Sequence, residues 1–240
     1  MKSWIEYWNR PNGIFVSEVH KRAHYECILS NVLPFLPRRR GSAMLDWGCG
    51  EAFAAPWMAA TCEQLYLYDP ADRIRLRVQE RYKDDPRIVV LDDAGLNRLP
   101  TSCLDLVLIN SVVQYLGRAE LIAALGKLRP LLKHEGRILI GDVIVPGTTL
   151  SNHLAVFLRF AYRKRFLAAA LLGLLRNFRP SSYFSLQRNR GYSQYAEQDF
   201  LALLNQSGLV GERLPNNIAI SPIRSSYLAR TPPRPLSAVS

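Results

Sequence analysis

Paired cysteines, internal repeats, long apolar runs and a balance of charge are all missing from this sequence. Each absence removes a class of protein. Between His153 and Arg179 apolar residues are interleaved with Arg and Lys, and the longest uncharged run there, Phe166 to Leu175, falls well short of a bilayer span of about 20 residues. No segment recurs at a fixed spacing, which argues against a solenoid or a propeller. Cys27, Cys49, Cys62 and Cys103 are scattered and form no CxxC pair. They read as small core residues in a reducing, cytoplasmic setting, with no disulfide frame and no metal site expected. The N-terminus carries no signal-peptide pattern, since Lys2 leads straight into the mixed polar and aromatic stretch Trp4 to Asn12. Acidic residues are in deficit. Against 31 Lys and Arg stand 20 Asp and Glu, a formal charge of +11, which favours nucleic acid, anionic lipid or an acidic small molecule as partner.

What is present is a globular chain. Hydrophobic residues make up 48% of 240 residues, enough for one large domain or one domain with an insertion. Short, continuous, β-branched runs alternate with amphipathic stretches. Strands are predicted at Ala43–Leu45, Leu65–Tyr68, Arg87–Leu91, Leu104–Ile109 and Arg137–Ile144, with helices at Ala52–Thr61, Arg73–Lys83 and Ala119–Leu132 between them. That rhythm predicts a parallel sheet buried on both faces. Before it, residues 1–36 read as helical and end at the breakers Pro34 and Pro37. After it, residues 146–190 read as helical, basic and apolar. A helix at Tyr195–Gln206, capped by Gly208, and two apolar stretches at Leu209–Leu214 and Ser225–Arg230 complete the pattern. Residues 231–240 are rich in Pro and Ser and read as a disordered tail.

The sharpest local signal is Met44-Leu45-Asp46-Trp47-Gly48-Cys49-Gly50 at the end of the first core strand. Glycines there permit a sharp turn and a close backbone approach to a ligand. A dinucleotide fingerprint needs a third glycine at position 53, where this chain has Phe53. Asp46 would repel a pyrophosphate and would attract a ligand bearing an ammonium and a sulfonium. The turn, Gly48, Cys49 and Gly50 with Asp46, therefore favours S-adenosylmethionine over NAD.

This stretch resembles the first motif of class I S-adenosylmethionine-dependent methyltransferases of the small-molecule, type 11-like kind. The likeness extends over roughly residues 41–145, departing where Ala52 replaces a frequent third glycine; that departure is expected to trim the loop's freedom. The resemblance implies an α/β fold: a Rossmann-like, doubly wound, mostly parallel seven-stranded sheet with a helical insertion after the fifth strand. It implies a cofactor-binding core at 41–145, an N-terminal helical cap at 1–40, an insertion or lid at 146–190 and a C-terminal part of the core at 191–230. It also assigns roles. Asp69, 23 residues after Asp46, would accept from both ribose hydroxyls, its alternative being a turn or cap residue before Pro70. Asp93, with Asp92 as the alternative register and Ala94 beside it, would meet the adenine amino group unless these are loop carboxylates. Asn110 and Ser111 would lie near the transferred methyl, with Gln114 and Tyr115 lining the acceptor pocket or, for Tyr115, the core.

Catalytic bases are scarce, with only four histidines. His20 and His24 share a helix face and, because the family closes its cleft from this end, are acceptor-site candidates beside Tyr115; the alternative is an ordinary surface or packed pair. His134 reads as an exposed turn residue, and His153 opens the insertion. The stretch 153–179 interleaves Leu, Phe and Ala with Arg and Lys, which fits a lid over a lipid-like acceptor, a homodimer interface, or a helix lying on a membrane. The leading expectation is methyl transfer to oxygen on a small or lipid-like molecule. The rivals are an RNA or other nucleic-acid methyltransferase, against which stands the lack of an Asn-Pro-Pro-Tyr type motif after the fourth strand, and a cofactor-binding protein without chemistry.

Overall fold

The computed structural model describes residues 2–9, 15–177 and 191–232. Residues 178–190 of the expected insertion and 233–240 of the expected tail lie outside it. Seven strands form one sheet: β1 Ala43–Trp47, β2 Gln64–Tyr68, β3 Ile88–Leu91, β4 Leu104–Asn110, β5 Leu132–Ile144, β6 Val210–Arg213 and β7 Arg224–Arg230, in the order β3-β2-β1-β4-β5-β7-β6. The pairs among β1 to β5 are parallel; β7 runs antiparallel to both β5 and β6. This is the expected doubly wound, mostly parallel sheet. Chain order reverses between β1 and β4, so the crevice beyond their C-terminal ends is the natural ligand site.

The strands are apolar on both faces because both are covered. Leu45, Val107, Ile109 and Ile138 pack one way, with Leu121 and Leu125 of α6 (Arg118–Leu128) and Phe200 of α9 (Glu197–Gln206). Met44, Leu106, Leu108 and Leu139 pack the other way, with Met58 of α3 (Ala55–Ala59) and Ile74 and Val78 of α4 (Asp72–Tyr82). The short helix α5, Asp93–Asn97, follows β3.

Three expectations change. The first crossover helix begins at Ala55 rather than Ala52, because Ala52 takes φ +48°, the left-handed conformation that a third glycine relieves and that costs an alanine about 1–2 kcal/mol. The fifth strand starts at Leu132, so His134 is an exposed strand residue rather than a turn residue. The four cysteines are free but only partly buried, at the margins of the core instead of within it.

Helices α1 (Lys2–Trp8) and α2 (Glu18–Val32) lie over the crevice. Ser17 caps α2, its hydroxyl accepting from the His20 amide at 3.1 Å. After β5 come α7 (Leu150–Arg163), capped reciprocally by Thr149 and Asn152, and α8 (Leu167–Asn177). These two pack on the N-terminal segment through a small cluster of Ala161, Phe166 and Ala170 with Val16, Phe157 and Phe160. Among the described residues no helix is long and apolar enough to cross a membrane, and no group of three His, Cys, Asp or Glu is placed to hold a metal.

Candidate active site

A cavity of about 830 Å³ opens where β1 and β4 part, within the size range of small-molecule pockets. Its floor is the glycine turn. The amides of Gly48 and Cys49 both donate to the Tyr68 carbonyl, at 2.7 and 3.0 Å, which ties the turn to the end of β2. Gly48 has φ +83°, and a Cβ there would overlap Cγ2 of Val112. Glycine is therefore required twice over, by conformation and by space.

Two carboxylates face this turn. Asp46 is buried; burial first and then the charge of Asp69 push its pKa up to about 7. Asp69 accepts from the amides of Gly50 (3.0 Å) and Ala71 (2.9 Å), yet burial still raises it above the ordinary carboxylate range. Two acids that resist ionisation side by side are a site for a positive charge, because a cation restores both. Asn110 adds a third acceptor: it lines the cavity, and its Oδ1 is buried with no hydrogen-bond partner among the described residues. A buried acceptor left unmade costs about 1–3 kcal/mol, a cost that a ligand donor relieves.

The end of the cavity toward β5 is polar below and aromatic above. Asp142 sits where the β5–β7 register shifts, between Ile140 and Val143, and takes φ +65°. Such bulges re-aim side chains beside active sites. Its Oδ2 accepts from Arg224 Nη1 at 2.6 Å and from Ser111 Oγ at 2.8 Å; its Oδ1 accepts from Asn217 at 3.3 Å. Gln114 lies beside Arg224. Above them, Trp4 meets Tyr115 at a centroid distance of 4.6 Å and Trp8 meets it at 5.9 Å.

His20 and His24 both line the cavity, but their surroundings differ. His20 stacks on Phe166 at 4.8 Å, and its Nδ1 accepts from the Val16 amide at 3.4 Å. It joins α2 to the α7–α8 pair. His24 faces the polar end, close enough for Asp142 to counter part of the burial and His20 repulsion that hold its pKa at about 4. Burial alone holds His20 at about 4. Both rings are neutral at pH 7.

Of the residues singled out in the sequence, Asp46, Gly48, Cys49, Gly50, Asp69, Asn110, Ser111, Tyr115, His20 and His24 border this one cavity. Asp92, Asp93 and Ala94 are not among its lining residues. The Asp92 carboxylate caps α5, accepting from the Gly95 amide at 2.7 Å, and Asp93 accepts from the Tyr68 hydroxyl at 2.5 Å. Among the described residues none of α7 or α8 borders the cavity either; α1 and α2 roof it. Asp142, Arg224, Trp4 and Trp8 were not anticipated. Asp142 alone left a trace, a single carboxylate in the otherwise apolar Ile138-Leu139-Ile140-Gly141-Asp142-Val143-Ile144; a buried charge needs a partner.

Comparison with known proteins agrees with this geometry. Residues 45–140 match the model of a methyltransferase-domain family. A stretch of 155 residues, 62% of the chain, is 29% identical to part of a probable non-canonical nonribosomal peptide synthetase from Salinispora arenicola; the match spans 2% of that protein's length. Two solved structures share the fold. Magnesium protoporphyrin IX methyltransferase from Synechocystis PCC 6803, with bound S-adenosylhomocysteine, superposes over 96% of this chain and 94% of its own at TM-score 0.54 and 17% identity. Mitomycin 7-O-methyltransferase superposes over 79% of this chain and 49% of its own at TM-score 0.53 and 18% identity.

Proposed function

We propose that this chain is a class I S-adenosylmethionine-dependent methyltransferase, a reading supported by the methyltransferase-domain match over residues 45–140, and that it methylates an oxygen of a small, ring-bearing acceptor held between its polar β5 end and its aromatic roof. The observation that carries this reading is the closure of the cavity by α1 and α2, whose Trp4 and Trp8 sit against Tyr115. A cavity of about 830 Å³ under that roof is of the size that takes a small molecule. The fold neighbours named above act, by their names, on a porphyrin and a mitomycin.

When bound, S-adenosylmethionine supplies a methyl group on a sulfonium, a leaving group that departs neutral. This chain's residues do the rest. Asp46 and Asn110 hold the cofactor's ammonium end and Asp69 its ribose hydroxyls. Asp93, whose Oδ1 already accepts from the Tyr68 hydroxyl, has its second oxygen left to accept from the adenine amino group. The aromatic roof excludes water and aligns the acceptor, which is where methyl transfer gains most. Neutral His24 accepts the hydrogen bond from the acceptor hydroxyl and takes its proton as the new O–C bond forms, with Asp142 stabilising the imidazolium. Because His24 titrates near 4, it is a weak base. Its removal is expected to lower kcat about tenfold, below the roughly 10²–10⁴ of a base matched to neutral pH. His24→Ala should leave cofactor affinity unchanged, while His20→Ala should act through stability. The test is labelled-methyl transfer on fractionated small-molecule, lipid and RNA extracts, then kinetics of both variants on the fraction that takes label. Label entering RNA overturns the acceptor assignment, and unchanged turnover of the doubly substituted protein removes the histidine role.

The raised Asp46 gives a second expected result. In the free protein its carboxyl is half protonated near pH 7; a bound ammonium favours the ionised form. Binding is then linked to proton release, so affinity falls as pH drops below 7, by up to about tenfold per unit. Titration calorimetry at pH 6 and 7 should show this in the wild type. Asp46→Asn should flatten the profile, which separates Asp46 from the neighbouring raised Asp69. An equally steep profile in the variant would exclude Asp46 as the linked group.

A further inference from the structure

We propose that the α7–α8 pair docks this protein on the surface of an anionic lipid bilayer, its outward leucines entering the headgroup region and its arginines and lysine meeting the lipid phosphates. The inward face of the pair is already taken. Phe166 stacks on His20, and Gly173 lies so close to Val16 that a Cβ there would not fit. The outward face is bare. Tyr162 is 73% exposed, Leu172 57% and Leu175 70%, and Leu154 and Leu171 are exposed beside them. In α8, Ala168, Leu171, Leu172 and Leu175 follow helical spacing and are the side that faces solvent. Five of the eleven exposed large apolar residues in the described structure fall in these two helices, so the patch is concentrated and not the ordinary scatter of a surface.

Charge selects the occupant. Between Asp142 and Glu197 the sequence contains eight Arg and Lys and no acidic residue, while the whole chain is +11. Arg159, Arg163, Lys164 and Arg165 are exposed along α7 and its turn into α8. Nucleic acid would reward the bases but not the leucines; a second copy would bring the same positive charge against itself. An anionic membrane surface rewards both features. With 14 and 11 residues, the helices are suited to lying in the interface and not to crossing it. The inference goes beyond the methyl-transfer reading and does not depend on it, since neither helix borders the cavity.

The test is co-sedimentation of the full chain with phosphatidylcholine vesicles, with and without about one third phosphatidylglycerol. The protein is expected to pellet with the anionic vesicles. Its partition should fall at least about tenfold on neutral vesicles, in high salt, in Leu172→Glu/Leu175→Glu, and in Arg163→Gln/Lys164→Gln/Arg165→Gln. Both variants should keep the wild type's circular dichroism and urea midpoint, which reports that they fold. Failure of the folded wild type to pellet overturns the proposal. So does release by the glutamine substitutions alone, with the glutamate variant still bound, which marks a general polyanion binder. A wild-type dimer in light scattering that the glutamates dissociate, with no vesicle binding, assigns the face to a second copy instead.

Discussion

Replacing Asp69 with alanine is expected to weaken S-adenosylmethionine binding by about 3 kcal/mol, roughly a hundredfold in Kd. Two losses add. The ribose hydroxyls lose a charged acceptor, for which hydrogen bonds are worth about 1.5–3 kcal/mol. The glycine turn loses the carboxylate that accepts from Gly50 and Ala71, so its shape is less well set before the ligand arrives. Asp69→Asn should recover part of the second loss and little of the first. Asp92→Ala is the contrasting case: its carboxylate caps α5, so about 1 kcal/mol of stability should go with affinity unmoved. Calorimetry on the purified variants decides. Wild-type affinity in both Asp69→Ala and Asp46→Ala would mean that the ligand lies elsewhere.

The largest effect on stability is expected at Asp142. It is buried, and so is most of the Arg224 side chain that it pairs with at 2.6 Å. Removing one member of a buried pair strands the other, at about 3–5 kcal/mol. Asp142→Asn keeps the left-handed backbone, which asparagine tolerates, and loses the charge together with one of the two acceptor oxygens that Asn217, Ser111 and Arg224 donate to. Asp142→Ala adds about 1–2 kcal/mol of backbone strain at φ +65°. The double variant Asp142→Asn/Arg224→Met should recover much of the loss, since the stranded guanidinium is gone. Urea denaturation, read as a change in midpoint at constant slope, measures all three. A loss under about 1 kcal/mol in Asp142→Asn would show that water already screens the pair. On the proposed mechanism turnover should fall with Asp142 as well, because the His24 imidazolium would lose its counter-charge and Ser111 the carboxylate it donates to.

The cofactor end of the site was legible because its determinants are local. Asp46, Gly48 and Gly50 lie within five residues on one strand end, and Asp69 ends the neighbouring strand. A parallel sheet delivers all its strand ends to one edge, so the order of strands and turns already brings these groups together. Asp93 shows where that reasoning thins. Position in the sequence placed it at the right strand end, but not the contact its Oδ1 makes with the Tyr68 hydroxyl, which joins two strand ends 25 residues apart. The insertion shows the same limit. Sequence placed it after β5, and a segment there was expected to roof the cleft; of its described residues, α7 and α8 pack against α2 and the segment before it, because Phe157, Phe160 and Phe166 find His20 and Val16 to bury against.

By itself the sequence determined the alternating fold, through the period and length of its apolar runs, and the character of the ligand, through an acid where a pyrophosphate site forbids one. Tertiary structure alone decided the end of the cavity toward β5. Asp142, Asn217 and Arg224 come from β5, a loop and β7, separated by 75 and 82 residues, and Trp4 reaches Tyr115 from the far N-terminus. No local pattern encodes such a meeting. It is fixed by an antiparallel register, a bulge and the burial of a charge that must find its counter-ion, and these exist only once the sheet has closed.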